Sequence, residues 1–145
     1  MNNNLTKLVE VVSKSKINIK FTLLEIGALQ VENSKEPFYE LLDHFQSSRI
    51  IGFEIEKEVC NKMNAKTDST VKYYPHALGQ KNEKKKLYIT QHPMCSSLYK
   101  PNEDLIKLYN NFEVAYLKSE TEIETISLDH FIQKYMIEEL SLIHI

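Results

Sequence analysis

The sequence predicts an α/β fold built on a doubly wound parallel sheet, and three observations predict it. Two short apolar runs, "FTLLEI" (21–26) and "RIIGFEI" (49–55), each carry one acid near the end. Runs of that length without polar alternation suit strands buried on both faces. Each run is followed by an amphipathic stripe at helical spacing, and the resulting β-α-β-α-β order calls for right-handed crossovers.

Taken in order, Leu5, Leu8, Val9 and Val12 fall at i, i+3, i+4, i+7, which predicts an N-terminal helix within residues 1–20. The first strand follows over 21–26, and the chain turns at Gly27. Ser34 and Glu36 precede Pro37, which suits a first helical turn because its missing N–H has no intrahelical partner there. Phe38, Leu41, Leu42 and Phe45 continue that stripe. The second strand covers 49–55, and Val59, Cys60 and Met63 mark a second short helix. "VKYYPHAL" (71–78) and "KKLYITQH" (85–92) are both β-rich, joined by a polar connector. Residues 102–112 predict a further helix with Leu105, Leu108, Tyr109 and Phe112 inward. "EVAYLKS" and "IETISL" read as extended, and "LDHFIQKYM" as a helix capped by Asp129. No internal repeat or low-complexity tract interrupts the chain.

Composition narrows the function classes. A chain of 145 residues with 42% hydrophobic and 26% charged residues is of ordinary globular make-up and long enough for a real core. The net charge of −2 supplies no field toward nucleic acid or an anionic membrane, and Arg49 is the only arginine. The longest apolar runs fall far short of the roughly 20 residues that cross a bilayer. The N-terminus, "MNNNLTKLVEVVSKSK", has no apolar core of a secretory signal. Cys60 and Cys95 have no motif spacing and are expected as reduced thiols in a cytoplasmic protein.

In a doubly wound sheet, ligands sit outside the carboxyl ends of the strands. The candidates are therefore Glu25 to Gln30, Glu54 to Glu56, and His76 to Gly79. Gly27 permits a tight turn and close backbone approach. Glu54 can accept hydrogen bonds from both hydroxyls of a ribose. A dinucleotide fingerprint beginning at Gly27 would need glycine where Leu29 and Glu32 stand. A pyrophosphate needs that glycine-only approach to a helix N-terminus. S-adenosylmethionine carries no phosphate, and its sulfonium and amine suit an acid such as Glu25. The residues thus favour the methyl donor over NAD. His92 and Cys95, in "HPMCSSLYKPN" (92–102), are weaker candidates for a base and a nucleophile; they complete no zinc-ligand set.

"EIGA" (25–28), "RIIGFE" (49–54), "YYPHALG" (73–79), "HPMCSSLYKPN" (92–102) and "ETISLDHF" (124–131) resemble, in order, the FkbM family of methyltransferases. The likeness runs from about residue 21 to 137. It implies a Rossmann-like, class I fold over 21–145, with S-adenosylmethionine as cofactor and O-methylation of a small hydroxylated acceptor, such as a glycan or glycosylated metabolite. It further implies that Gly27 and Ala28 lie against the methionine moiety, that Glu54 with Ile55 holds the ribose, and that Ala77 lies near the adenine. Ser96, Ser97 and Tyr99 would face the acceptor; no catalytic base is identified. Rival expectations are an NAD-linked oxidoreductase on the same fold and a cofactor-binding module without catalysis.

The pattern departs from the family twice. The turn reads Gly27-Ala28-Leu29-Gln30-Val31 where the family has Gly-Ala-Asn-x-Gly. After "SLDHF" and a helix, the family continues with a strand of the form Lys-Ile-Asp-x-x-Gly; here "IEELSLIHI" stands instead. The expectation is a domain truncated after the first half of its sheet, with the edge of a central strand left uncovered.

Overall fold

The computed structural model describes residues 7, 9–12, 14, 18–28 and 36–144. The chain is a mixed α/β protein whose contacts divide it into two units, residues 1–75 with 137–145, and residues 76–136.

The first unit is built on a four-stranded parallel sheet. Its strands are β1 (Thr22–Ile26), β2 (Arg49–Phe53), β3 (Val71–Tyr74) and β7 (Leu142–His144), in the order β3-β2-β1-β7. Register pairs Leu23 with Ile50 and Leu142, and Glu25 with Gly52 and His144. Tyr73 pairs with Gly52. Because neighbours in register share a face, Leu23, Glu25, Ile50, Gly52, Val71, Tyr73 and His144 lie on one side of the sheet. That side carries a core of Leu23, Ala28, Tyr39, Ile50, Cys60, Val71 and Tyr73. Phe38, Leu41 and Leu42, from the Pro37–Tyr39 turn and α1 (Glu40–His44), pack against it. So does Met63 of α2 (Lys57–Asn64). The other face is buried as well, with Leu24 and Phe53 almost inaccessible. Both faces of these strands are therefore dry, as their unbroken apolar runs require.

Two differences from the sequence reading concern this unit. Residues 142–144 form β7 and cover the second edge of β1, where an uncovered edge was expected. Ser141 ties the entry down: its N–H donates to the Thr22 carbonyl at 2.8 Å and its hydroxyl accepts from the Thr22 N–H at 3.1 Å. The strand was missed because three residues are too few to show a period. The N-terminal helix falls only partly on described residues; 7, 9–12 and 14 are helical. Leu5 and Leu8 of its stripe, and Ser34, lie outside the described residues.

The second unit holds a three-stranded sheet in the order β4-β6-β5: β4 (Ala77–Gly79), β5 (Glu83–Thr90) and β6 (Leu117–Ser127). β4 runs parallel to β6, and β5 antiparallel to it. The run "VKYYPHAL" is therefore two strands in two sheets, parted at Pro75, whose ring leaves no N–H for a ladder. The end of "EVAYLKS" and most of "IETISL" belong to one long strand, whereas Glu113–Ala115, expected as extended, form a 3-10 turn. The strand's charged outer positions pair across to the antiparallel β5, Lys84 with Glu122 at 3.1 Å and Lys86 with Glu120 at 2.8 Å. Between β5 and β6 a segment of short turns holds α3 (Glu103–Ile106), far shorter than the helix expected over 102–112. Leu105, Leu108, Tyr109 and Phe112 are exposed there, not inward. Further along that segment, Asn111 takes a left-handed backbone at φ 65°. The last helix, α4 (Leu128–Tyr135), is capped by the Ser127 hydroxyl accepting from the His130 N–H at 3.3 Å, not by Asp129. Among the described residues, no helix is long and apolar enough to cross a membrane.

Candidate functional site

The strand order places β1 between β2, to which the chain proceeds directly, and β7, which arrives last. In parallel sheets of this kind, ligands sit outside the carboxyl ends of the strands. At that end of β1 stand Glu25 and, after Ile26, the turn at Gly27.

Gly27 adopts φ 78°, a left-handed backbone that a side chain would strain. The turn folds back onto β2: the amides of Gly27 and Ala28 both donate to the Phe53 carbonyl, at 3.1 and 2.9 Å. Ala28 is buried in the core beneath. These two N–H groups are consumed inside the protein, so neither remains for an anion.

Glu25 is buried at 5% exposure, with a tyrosine pair arranged around it. The Tyr39 hydroxyl donates to Glu25 Oε2 at 2.6 Å and lies 2.7 Å from the Tyr73 hydroxyl. A phenol has one proton to give, so with Tyr39 donating to Glu25, Tyr73 is the donor to Tyr39. Burial raises the Glu25 carboxyl above its ordinary value; the Tyr39 hydrogen bond and the nearby His144 oppose that rise, and Glu36 adds to it. Burial likewise pushes up both phenols, with the bond to Glu25 reinforcing the effect on Tyr39. His144 also lies 3.9 Å from Glu36 and against the Phe38 ring, so acids, an imidazole and aromatics ring the end of β1.

Two residues make the Tyr73 position possible. Gly52, opposite Tyr73 on β2, has no side chain, and a Cβ built there would drive into the Tyr73 ring. Asn64, last residue of α2, clamps Tyr73 through the free edge of β3: its Nδ2 donates to the Tyr73 carbonyl at 2.9 Å and its Oδ1 accepts from the Tyr73 N–H at 2.8 Å. The Thr67 hydroxyl donates to the Val71 carbonyl on the same edge.

Glu54 follows β2 and is buried to 9% exposure. Its Oε1 accepts from the Glu56 N–H at 3.1 Å, and the Cys60 thiol donates to its carbonyl at 3.3 Å. Burial, with the Glu54 charge beside it, pushes the Cys60 thiol up, which makes it a core residue and no nucleophile. Ile55 is exposed beside Glu54.

Of the residues expected from sequence, Glu25, Gly27, Ala28, Glu54 and Ile55 belong to the first unit. The bonds to Phe53 bring the β1 turn against the end of β2. Ala77, Ser96, Ser97 and Tyr99 belong to the second unit. There Ala77 is buried opposite Thr125 on β6. Ser97 bridges Tyr88, which is level with Glu120, so five residues of β6 part the two positions, about 17 Å of strand. Ser96 accepts from the Thr90 N–H, Ser97 from the Tyr99 N–H, and Tyr99 is 84% exposed. His92 uses its Nδ1 to cap the following turn, accepting from Met94 N–H at 3.4 Å, while Cys95 is exposed. A cleft of about 240 Å³ is lined in part by Val9, Val12, Ile19 and Phe45. It lies beside the amino end of β2, and among the described residues His44 is the only titratable one lining it.

Tyr39, Tyr73, Gly52 and His144 were not singled out from sequence. The glycine carried a usable signal, since an isolated glycine inside an apolar strand marks close approach by a neighbour. No family model, curated protein or solved structure matches the chain.

Proposed function

We propose that the chain is a Rossmann-like domain that binds S-adenosylmethionine at the carboxyl end of β1 and transfers its methyl group to a hydroxyl of a small acceptor. The observation that carries the cofactor part is the chemistry of the β1 turn. Its two amides are already bonded to the Phe53 carbonyl, while a buried carboxyl, Glu25, stands at the strand end. Phosphate recognition needs free N–H groups and no adjacent acid. A ligand with a cationic sulfonium and an ammonium needs the reverse. Glu54, one strand over, keeps one oxygen for a ribose hydroxyl while the other accepts from Glu56 N–H.

The methyl-transfer part rests on the ordered resemblance of residues 21–137 to the FkbM methyltransferases. Such a reaction is an in-line displacement in which holding the acceptor oxygen against the methyl carbon supplies most of the rate. Ser96, Ser97 and Tyr99 are the acceptor-side residues that the resemblance implies.

Calorimetry with S-adenosylhomocysteine and with NAD tests the reading. The demethylated cofactor is expected to bind and NAD is not. Glu54→Ala should weaken binding by about 1.5–3 kcal/mol, the range of a hydrogen bond to a charged group. Binding of NAD alone would overturn the reading. Binding of the demethylated cofactor, with no methyl transfer to any hydroxylated acceptor, would leave a binding module and remove the enzyme.

A further inference from the structure

We propose that Tyr39 and Tyr73 are positioning residues for Glu25: their hydroxyl chain holds one carboxyl oxygen so that the other meets the ammonium of an amino-acid-bearing nucleoside. The inference rests on the cofactor reading above and specifies how its amino-acid end is recognised.

The geometry is asymmetric. Tyr39 binds Oε2 at 2.6 Å and is itself supported by Tyr73 at 2.7 Å, whereas Oε1 has no hydrogen-bond partner among the described residues. No buried side-chain oxygen or nitrogen among them lacks a partner, so Oε1 is the oxygen that reaches solvent. A glutamate has three side-chain torsions, and fixing one oxygen removes most of its freedom before a ligand arrives. Tyr73 cannot drift, because its backbone is clamped by Asn64 and its ring lies across Gly52. Among the described residues, the groups facing the carboxyl are the two phenols, His144 of β7, and Glu36 at the start of the Pro37 turn. The Glu25 carboxylate and the nearby Glu36 both attract a cation to this end of the strand.

The test compares S-adenosylhomocysteine with 5′-methylthioadenosine, the same nucleoside thioether without the amino acid, on the wild type, Tyr39→Phe and Tyr73→Phe. Each variant keeps its ring, and thermal melts check the fold. Tyr39→Phe should lose about tenfold in affinity for S-adenosylhomocysteine and nothing for 5′-methylthioadenosine. Tyr73→Phe should lose less, since it acts through Tyr39. The pH profile of S-adenosylhomocysteine binding should move to higher pH in Tyr39→Phe, because Glu25 loses a donor that favours its charged form. Equal loss for both ligands, or for neither, would overturn the positioning role and leave the cofactor reading standing. Failure of the wild type to bind either nucleoside would overturn the cofactor reading and this inference together.

Discussion

Gly52→Ala is the sharpest test of how the candidate site is built. A Cβ at position 52 would lie 2.6 Å from Tyr73 Cε1, nearer still to Cδ1, and 3.2 Å from Ala28 Cβ. The ring cannot slide away in place, because Tyr73 is 2% exposed and its backbone is paired to β2 on one edge and to Asn64 on the other. It has to rotate, and its hydroxyl then leaves Tyr39. Overpacking of this kind costs about 1–3 kcal/mol. The lost hydroxyl bond adds about 1 kcal/mol. Against these, alanine gains about 0.5–1 kcal/mol over glycine within a strand. The net expectation is a loss of about 1–3.5 kcal/mol, or roughly 3–12 °C in melting temperature for a chain of this size. Urea or thermal denaturation of the wild type, Gly52→Ala, Tyr73→Val and the double variant completes a cycle. In the Tyr73→Val background, Gly52→Ala should cost nothing. An equal loss in both backgrounds would refute the argument, because the cost would then not come from the ring.

Glu25→Gln keeps an acceptor for Tyr39 and removes the charge. The folded carboxyl titrates above its unfolded value of about 4.5, so the native state binds more protons between the two, and wild-type stability falls as pH rises through that window. Melting curves from about pH 4 to pH 8 should show Glu25→Gln gaining on the wild type as pH rises; parallel curves would remove Glu25 from the buried network. Met136 ends α4 at φ 50°, ψ 53° and is 83% exposed. Met136→Gly should therefore stabilise by about 0.5–1 kcal/mol through relief of the left-handed backbone, and a lower melting temperature would refute this. The Thr125 hydroxyl serves the Lys81 and Glu83 carbonyls at 2.7 and 3.0 Å from a buried position. Thr125→Val should cost about 1–2 kcal/mol in thermal denaturation, with Thr125→Ser recovering part of it.

The strands of the first sheet were legible because burial on both faces writes itself into composition: "FTLLEI" and "RIIGF" have few polar residues to place. The acid closing the first run and the glycine after it were legible for the same reason, since each breaks the apolar pattern where the strand must end. Residues 102–112 misled because four apolar residues at helical spacing satisfy a period without satisfying a core. In the folded chain Leu105, Leu108, Tyr109 and Phe112 are exposed, and nothing in periodicity distinguishes an apolar stripe that packs from one that does not. β7 was illegible for the opposite reason, its three residues being fixed by pairing with β1 and by Ser141 rather than by any pattern of their own.

The tyrosines were hidden by chemistry that sequence does not separate. Tyr39 and Tyr73 sit at apolar positions of their elements and fill volume in the core as phenylalanine would. Their hydroxyls matter only because Glu25 is buried beside them, 14 residues before Tyr39, with Tyr73 a further 34 residues on. A carboxyl at 5% exposure without a donor would be a heavy burden on the fold, and a phenol at that depth without an acceptor a lighter one of the same kind. Each group makes the other tolerable, and Gly52 makes room for both. The four residues therefore have to be read as one device: removing the glycine should displace the phenol, removing the phenol should raise the carboxyl, and only removing the charge should relieve the whole arrangement. That ordering of effects is what separates a built acid site from a glutamate that happens to be covered.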